Sequence, residues 1–338
     1  MLKIAVVGCG YWGPNLIRNF YSLPDCQVKK VCDLSPQRLE HMQKLYCEVN
    51  TTTNFEEIVR DPEIDAVAIA TPVRSHFLMA KKCLAVKKHI LIEKPMASSS
   101  EECKELIELA DKQQLILMVG HTYIYSPAVR KIKELYEKGE LGEILYLNSR
   151  RLNLGIFQND INVIWDLAPH DLSIIFFVLN KFPTSVNCQG KTNINLGIED
   201  VANITMDFSD GGFATIQISW LDPYKVREMT FVGSKKMLVY NDLEPIEKIK
   251  IFDKRVSTPP YYDNFAEFQY SYHYGDIYSP YLKQSEPLKL ECQHFLDCIK
   301  NQTKPETDGY NGLRVVQVLE AASESLKKGG SKIKLKLQ

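Results

Sequence analysis

The sequence predicts an α/β protein in two parts: a doubly wound parallel sheet, then an α+β part on a large open, mostly antiparallel sheet. Three observations carry this. The chain has 338 residues, more than one typical core holds and enough for two domains. Its first third alternates apolar runs with amphipathic segments, as βαβ units do. After about residue 123, strand-like runs follow one another with few helices between them.

The elements follow in order. "KIAVVGCG" is a buried strand running into glycines, and "VKKVCDLS" is a second strand. "SPQRLEHMQKLY" reads as a helix with Ser35 as N-cap and Pro36 at its first position. "DAVAIATP" is a strand, "RSHFLMAKKCLAVKK" a helix and "HILIEKP" a strand. "SSSEECKELIELADKQQ" is a helix with a serine start, and "LILMVGHT" closes the series. Strands this continuously apolar fit a sheet covered on both faces. "SPAVRKIKELYEKGELG" is a helix ended by glycine. Beyond it, "ILYLNSRRLNL", "TSVNCQGKTNIN", "DVANITMDFSDGGFATIQISW", "REMTFVGSKKMLVYND" and "IEKIKIFDKR" alternate as half-buried strands. Asp210-Gly211 marks a hairpin turn between two of them. Residues 256–281, rich in tyrosine and proline, are expected to form a long loop. Helices follow at 287–301 and 310–328. The boundary falls near 122, giving a nucleotide-binding part at 1–122 and a second part at 123–338.

Composition excludes several classes. The chain is 45% hydrophobic and 25% charged, which is ordinary for a globular protein. A net charge of −1 gives no field directed at nucleic acid or an anionic membrane. The longest apolar run, near 173–179, falls far short of the ~20 residues that span a bilayer. The start, MLKIAVVGCGYWG, lacks the three regions of a signal peptide. The nine cysteines stand singly, without a CxxC pair. That suggests reduced thiols in a cytosolic protein, with neither a disulfide framework nor a metal site.

Gly8-Cys9-Gly10-Tyr11-Trp12-Gly13 is a GxGxxG motif after a strand and before a helix. The first glycine permits the tight turn, the second lets a pyrophosphate approach the backbone, and the third packs the helix close. The helix N-terminus adds free N–H groups and partial positive charge. Asp33 ends the second strand, 20 residues after Gly13, where an acid reaches a ribose hydroxyl. It favours NAD over NADP, while Arg38, one turn into the next helix, leaves NADP open. The other reading is a glycine turn with no ligand and a surface aspartate.

Glu93-Lys94-Pro95 ends a strand of the same sheet, on the edge where such sheets bind ligands. An ammonium there can polarise a substrate oxygen or carry a proton; a solvated strand-end lysine is the plain alternative. Thr71-Pro72 and His76 end an earlier strand in the same way; for His76, a helix-start histidine with no ligand is the equal alternative.

"VIWDLAPHDLSIIFFVL" spans 163–179. If a helix starts at Leu167, Asp166 is its N-cap and Pro169 falls in the first turn, where its missing N–H costs nothing. His170 lies one turn beyond Asp166 on the same side, and Asp171 is rotated away. A histidine titrating near neutrality beside a carboxylate suits alcohol oxidation, as the base taking the hydroxyl proton. A capping aspartate and a core histidine are the bland alternative.

The order "VVGCGYWG", "ATPVRSH", "IEKPMA" and "WDLAPHD" resembles the Gfo/Idh/MocA oxidoreductases over nearly the whole chain. The resemblance implies a Rossmann domain, then a second domain whose open sheet forms a dimer or tetramer interface. It implies that Lys94 touches both nicotinamide and the substrate oxygen, with Asp166 and His170 as partner pair. Val163-Ile164-Trp165 stands where many relatives have glycines, and His121 where many have asparagine or tyrosine. The wording "GYWGPN", "GHTYIYSPAV" and "WDLAPHDL" is most similar to members associated with nucleotide-activated sugars.

The expectation is an NAD-dependent oxidoreductase, with NADP possible, acting on a secondary hydroxyl of a sugar, at C3 of a nucleotide sugar. The catalytic residues would be Lys94, Asp166 and His170. The cofactor would meet Gly8, Gly10, Tyr11, Trp12, Gly13, Asp33 and Arg38, and further along Thr71, Pro72, His76, Glu93, Lys94 and His121. The substrate would meet Lys94, Arg151, Trp165 and His170, with Arg150-Arg151 suited to a diphosphate or, equally, a solvated strand end. A free polyol or inositol dehydrogenase and a non-catalytic nucleotide-binding sensor are the rivals.

Overall fold

The computed structural model describes residues 1–257 and 271–335. The chain divides into two compact units. The first comprises Met1–Ser126 and Ser285–Glu320; the second comprises Pro127–Gln284 and the chain from Ala321 onward.

The first unit holds a six-stranded sheet of β1 (Leu2–Val7), β2 (Cys26–Cys32), β3 (Asn50–Thr52), β4 (Ala66–Ile69), β5 (His89–Glu93) and β6 (Leu117–Gly120). Their order is β3-β2-β1-β4-β5-β6 and every pairing is parallel. This is the Rossmann order, which reverses between β1 and β4 and leaves a crevice at their carboxyl ends. The crossovers are α1 (Gly13–Tyr21), α2 (Pro36–Leu45), the short α3 (Glu56–Arg60), α4 (His76–Ala85) and α5 (Ser100–Gln113). Ile4 to Val7, Ala66 to Ile69 and Ile90 to Ile92 are buried on both sides of the sheet. Ser35 and Ser99 cap α2 and α5, accepting the N–H groups of Arg38 and Glu102.

The second unit contains α6 (Pro127–Glu137), β7 (Ile144–Leu154), α7 (Val163–Leu179), β8 (Ser185–Lys191), β9 (Val201–Asp207), β10 (Phe213–Ser219), β11 (Leu221–Gly233), β12 (Met237–Asn241), β13 (Ile249–Ser257) and β14 (Ser271–Tyr278). After α8 (Pro287–Asn301) and α9 (Gly309–Lys327) comes β15 (Ile333–Lys334). The nine strands run β14-β13-β12-β11-β7-β10-β9-β8-β15. All pairs are antiparallel except β7 with β10. Helix α7 packs on β9 and β10, and α6 packs on α7. Along β10, Ala214, Ile216 and Ile218 are buried while Thr215 and Gln217 are only partly so, the alternation of a sheet covered on one face.

Two expectations change. The sequence reading places everything after residue 122 in one part, whereas α8 and the start of α9 join the first unit. Phe295 on α8 meets Phe20 on α1 edge to face, 6.3 Å between ring centres. No local pattern announces so distant a return. The loop expected at 256–281 contains strand: Arg255, Val256 and Ser257 pair with His273, Tyr272 and Ser271. Tyrosine and isoleucine favour a pleated strand, and this outweighs the neighbouring prolines. Of that stretch, residues 258–270 lie outside the described residues. Among the described residues, no helix is long and apolar enough to cross a membrane.

Candidate active site

The glycine loop is shaped by close approach. Gly8 has φ +97°, and a Cβ there would lie 2.5 Å from the Ala70 carbonyl oxygen. A Cβ on Gly13 would lie 1.8 Å from the Gly8 oxygen, so the helix start touches the turn. At Gly10 a Cβ would meet nothing within 4 Å among the described residues. The side chain that is absent at Gly10 therefore leaves open space. Helix α1 has no acid in its first turn and no side-chain cap. Pro14 has no N–H and the Asn15 N–H bonds the Trp12 carbonyl at 3.0 Å, so its start offers an anion the Gly13 N–H and the partial positive charge of the helix end. This cradle fits the pyrophosphate of NAD. Trp12 stands at the N-cap of α1, with Tyr11, almost fully exposed, stacked 6.5 Å from it.

Asp33 is 8% exposed and its carboxylate holds the loop together. Oδ2 accepts the Cys9 N–H at 2.6 Å and Oδ1 the Ser35 N–H at 2.8 Å. Arg38 stands 3.6 Å away, exposed. Each oxygen keeps a lone pair for a ribose hydroxyl, so Asp33 both braces the loop and borders the nucleotide crevice.

His76, expected among the cofactor contacts, stands between two backbone carbonyls. It is buried, with Nδ1 2.9 Å from the Pro95 carbonyl and Nε2 2.7 Å from the Thr71 carbonyl. Burial lowers its pKa, with those carbonyls opposing. The neutral ring has one N–H, so it donates to one of these carbonyls, and the ring lies between the turn after β4 and the turn after β5. Thr71 and exposed Pro72 stay at the mouth of that turn, where the Ser75 hydroxyl donates to Thr71 Oγ1 at 2.8 Å.

Lys94 follows β5, half-buried, its N–H 3.3 Å from Glu93 Oε2. Burial raises Glu93 to about 7, against the pull of the Lys94 charge. His121, at the end of β6, is buried, and neither ring nitrogen meets a partner among the described residues. Burial, then the Lys94 charge, pushes it down to about 3, so the ring is neutral. Glu291 on α8 is fully buried and accepts the Thr122 hydroxyl at 2.8 Å. Burial, then the neighbouring Glu93, raises its pKa well above the carboxylate range. Within its own unit, Lys94 therefore faces an acid near neutrality and an uncharged imidazole. Sequence reading missed Glu291. The available signal was an acid on the stripe Leu288, Glu291, Cys292, Phe295, the buried face of an amphipathic helix.

In the second unit, α7 starts earlier than expected. Asn162 is the N-cap, its Oδ1 accepting the Trp165 N–H at 3.2 Å. Asp166 therefore lies inside the first turn, and Pro169 inside the helix, where it removes a main-chain bond. Asn162 is as good a cap as aspartate, and it decides the start. The spacing survives: Asp166 and His170, four apart, share a half-exposed stripe while Ala168, Pro169 and Leu172 are buried. The Trp220 indole donates to Asp166 Oδ2 at 3.0 Å. Trp165, half-buried, donates its indole N–H to Ser323 Oγ at 3.0 Å.

Arg151, expected among the substrate contacts, is paired with an acid of α7. It is buried, with Nε 2.8 Å from Asp171 Oδ2 and Nη2 3.0 Å from Oδ1. Ser149 adds a bond to the same carboxylate at 3.0 Å. The guanidinium expected to meet a diphosphate instead neutralises Asp171, the acid rotated away from the Asp166 face. Arg150, next along the strand, is exposed on the opposite face.

Comparison with known proteins agrees with this architecture. Residues 2–121 match the GFO/IDH/MocA description "Oxidoreductase family, NAD-binding Rossmann fold", and 129–239 match the GFO/IDH/MocA C-terminal domain. An uncharacterised oxidoreductase of Bacillus subtilis, YrbE, is 25% identical over 95% of this chain and 93% of its own length. The scyllo-inositol 2-dehydrogenase (NAD(+)) of Bacillus subtilis is 25% identical over 97% of this chain and 95% of its own. The UDP-N-acetylglucosamine 3-dehydrogenase of Acidithiobacillus ferrooxidans is 23% identical over 93% and 94%. A solved structure of that enzyme superposes with a TM-score of 0.79, covering 97% of this chain and 98% of the other. With a cradle shaped for a dinucleotide in one unit and both halves of the chain matched, the protein belongs to the GFO/IDH/MocA oxidoreductase family and has its NAD-binding Rossmann domain.

Proposed function

We propose that the protein oxidises a secondary hydroxyl of a sugar or polyol, or reduces the matching ketone, with NAD. The observation that carries this reading is the Asp166–His170 pair on one half-exposed stripe of α7, its carboxylate held by Trp220. In this reading the first unit binds the nucleotide and the second supplies substrate contacts, including the exposed part of Trp165. His170 takes the hydroxyl proton, Asp166 supports the resulting imidazolium charge, and Lys94 donates to the oxygen on which negative charge develops. Bound NAD supplies the two-electron acceptor. Glu93 and neutral His121 set the field around Lys94 and border the nucleotide.

The finer reading is oxidation at C3 of a nucleotide sugar, in the making of surface-polysaccharide precursors. The full-length likeness to UDP-N-acetylglucosamine 3-dehydrogenase supports it. A free polyol is the second reading, favoured by one specific observation: Arg151 is engaged by Asp171 and offers no fork to a diphosphate. We also propose that the uncovered face of the nine-stranded sheet, where exposed Tyr146 and Phe213 pair in register, meets a second copy of the chain.

The test is a spectrophotometric panel: NAD or NADP with UDP- and dTDP-sugars, free hexoses and inositols, and Lys94→Ala in parallel. Reduction of nicotinamide by one UDP-sugar, lost in the variant, is the expected result. Turnover of inositols alone would move the assignment to free polyols. No turnover, with bound nucleotide unchanged after sugar exposure, would replace the enzyme by a sensor.

A further inference from the structure

We propose that Trp220 is a positioning residue for the Asp166–His170 pair, a proposal that rests on the functional reading above. Its indole N–H lies 3.0 Å from Asp166 Oδ2 and its side chain is 1% exposed. A charge-assisted bond in a dry setting is stronger than one in water, and it fixes the plane of the carboxylate as well as its place. Asp166 lies one turn before His170 on the same half-exposed stripe of α7. By holding Oδ2, Trp220 sets the plane in which that carboxylate is presented to the stripe.

The indole is itself held from several sides. The Trp220 N–H donates to the Asp200 carbonyl at 2.9 Å, and its own carbonyl accepts the Gly155 N–H at 2.8 Å. A Cβ on Gly155 would come 3.0 Å from Trp220 Cδ1, so glycine lets the backbone approach the ring edge there. Phe157 meets the ring at 5.7 Å, at an interplanar angle of 60°. Asp200 is buried and bound to Asn193 through side chain and backbone. This is a rigid mount reaching from the junction of β10 and β11 to the first turn of α7. A buried indole N–H ordinarily takes an acceptor, and here the side chain's one donor goes to the acid of the candidate pair.

The test has two arms. The three tryptophans give three indole N–H resonances in a ¹⁵N-labelled sample, and Trp220→Phe assigns one of them. In Asp166→Asn, which leaves Trp220 in place, that resonance is expected to move upfield while the Trp12 resonance stays. An unmoved Trp220 resonance would overturn the pairing, whether or not a substrate is known. The second arm is kinetic, with the substrate found in the panel. Trp220→Phe is expected to lower kcat about tenfold with KM for NAD unchanged, the scale of losing one bond to a charged group. In an Asp166→Asn background the same change should cost less than twofold. An undiminished tenfold loss there would reduce Trp220 to packing. If the panel yields no turnover, the functional reading fails, and the resonance arm still decides whether Trp220 holds Asp166.

Discussion

At the glycine loop the working groups are backbone; at the start of α7 they are side chains. The loop offers backbone N–H and the positive end of α1, and glycines are present because a Cβ on Gly8 or Gly13 would strike carbonyl oxygens. The start of α7 offers one carboxylate and one imidazole on a helix that almost any sequence could form. A backbone site is specified by what the chain leaves out, and a side-chain site by what distant segments bring to it. Trp220 and Asn162 decide where Asp166 points, and neither belongs to the motif.

The largest effect that sharpens this contrast is expected at Lys94. Lys94→Ala should lower kcat about 10³-fold or more, the scale of losing a preorganised donor at a developing charge. Nucleotide affinity, measured by NADH fluorescence, should change by less than threefold, because the phosphates rest on the backbone cradle. A parallel loss of NADH binding would break the division of labour. Arg151→Met comes next. It leaves Asp171 buried and unneutralised, which costs about 3–5 kcal/mol. Urea unfolding should show that loss. Raised substrate KM with unchanged stability would return Arg151 to the substrate.

The contrast also explains what the sequence revealed. GxGxxG, Asp33 twenty residues on and the strand-end Lys94 are local, because βαβ units place strand ends at regular intervals. The helical spacing of Asp166 and His170 is equally local. Other features depend on partners far along the chain. Arg151 looked available until Asp171, twenty residues away, met it across the gap between β7 and α7. His76 looked ligand-facing until the carbonyls of Thr71 and Pro95 closed on it. Glu291 reaches Thr122 and the neighbourhood of Glu93 only because α8 belongs to the Rossmann unit.

A smaller effect lies in the pH dependence of stability. Burial raises Glu93 from 4.5 to about 7. Between those values the unfolded chain has released a proton that the folded chain keeps. Stability therefore falls as pH rises through that window, by about 3 kcal/mol at most. Glu93→Gln should make the decline between pH 5 and pH 8 shallower in urea unfolding, with Glu291 keeping a residual slope of the same sign. An identical decline in the variant would mean that Glu93 is ionised in the folded protein throughout.

The smallest expected effect separates the glycines of the loop from one another. At Gly13 an added Cβ meets the Gly8 oxygen at 1.8 Å, so Gly13→Ala should impair both stability and nucleotide binding. At Gly10 nothing stands within 4 Å among the described residues and φ is not positive, so the fold has no objection to alanine. Alanine there should even stabilise by about 0.4–1 kcal/mol, through a less flexible unfolded chain. Its methyl would nevertheless stand where the pyrophosphate approaches the backbone. Gly10→Ala is therefore expected to bind NADH about tenfold more weakly while unfolding at equal or higher urea. Unchanged affinity would mean that the phosphates pass elsewhere, and that this second glycine is a vestige of the turn with no part in the cradle.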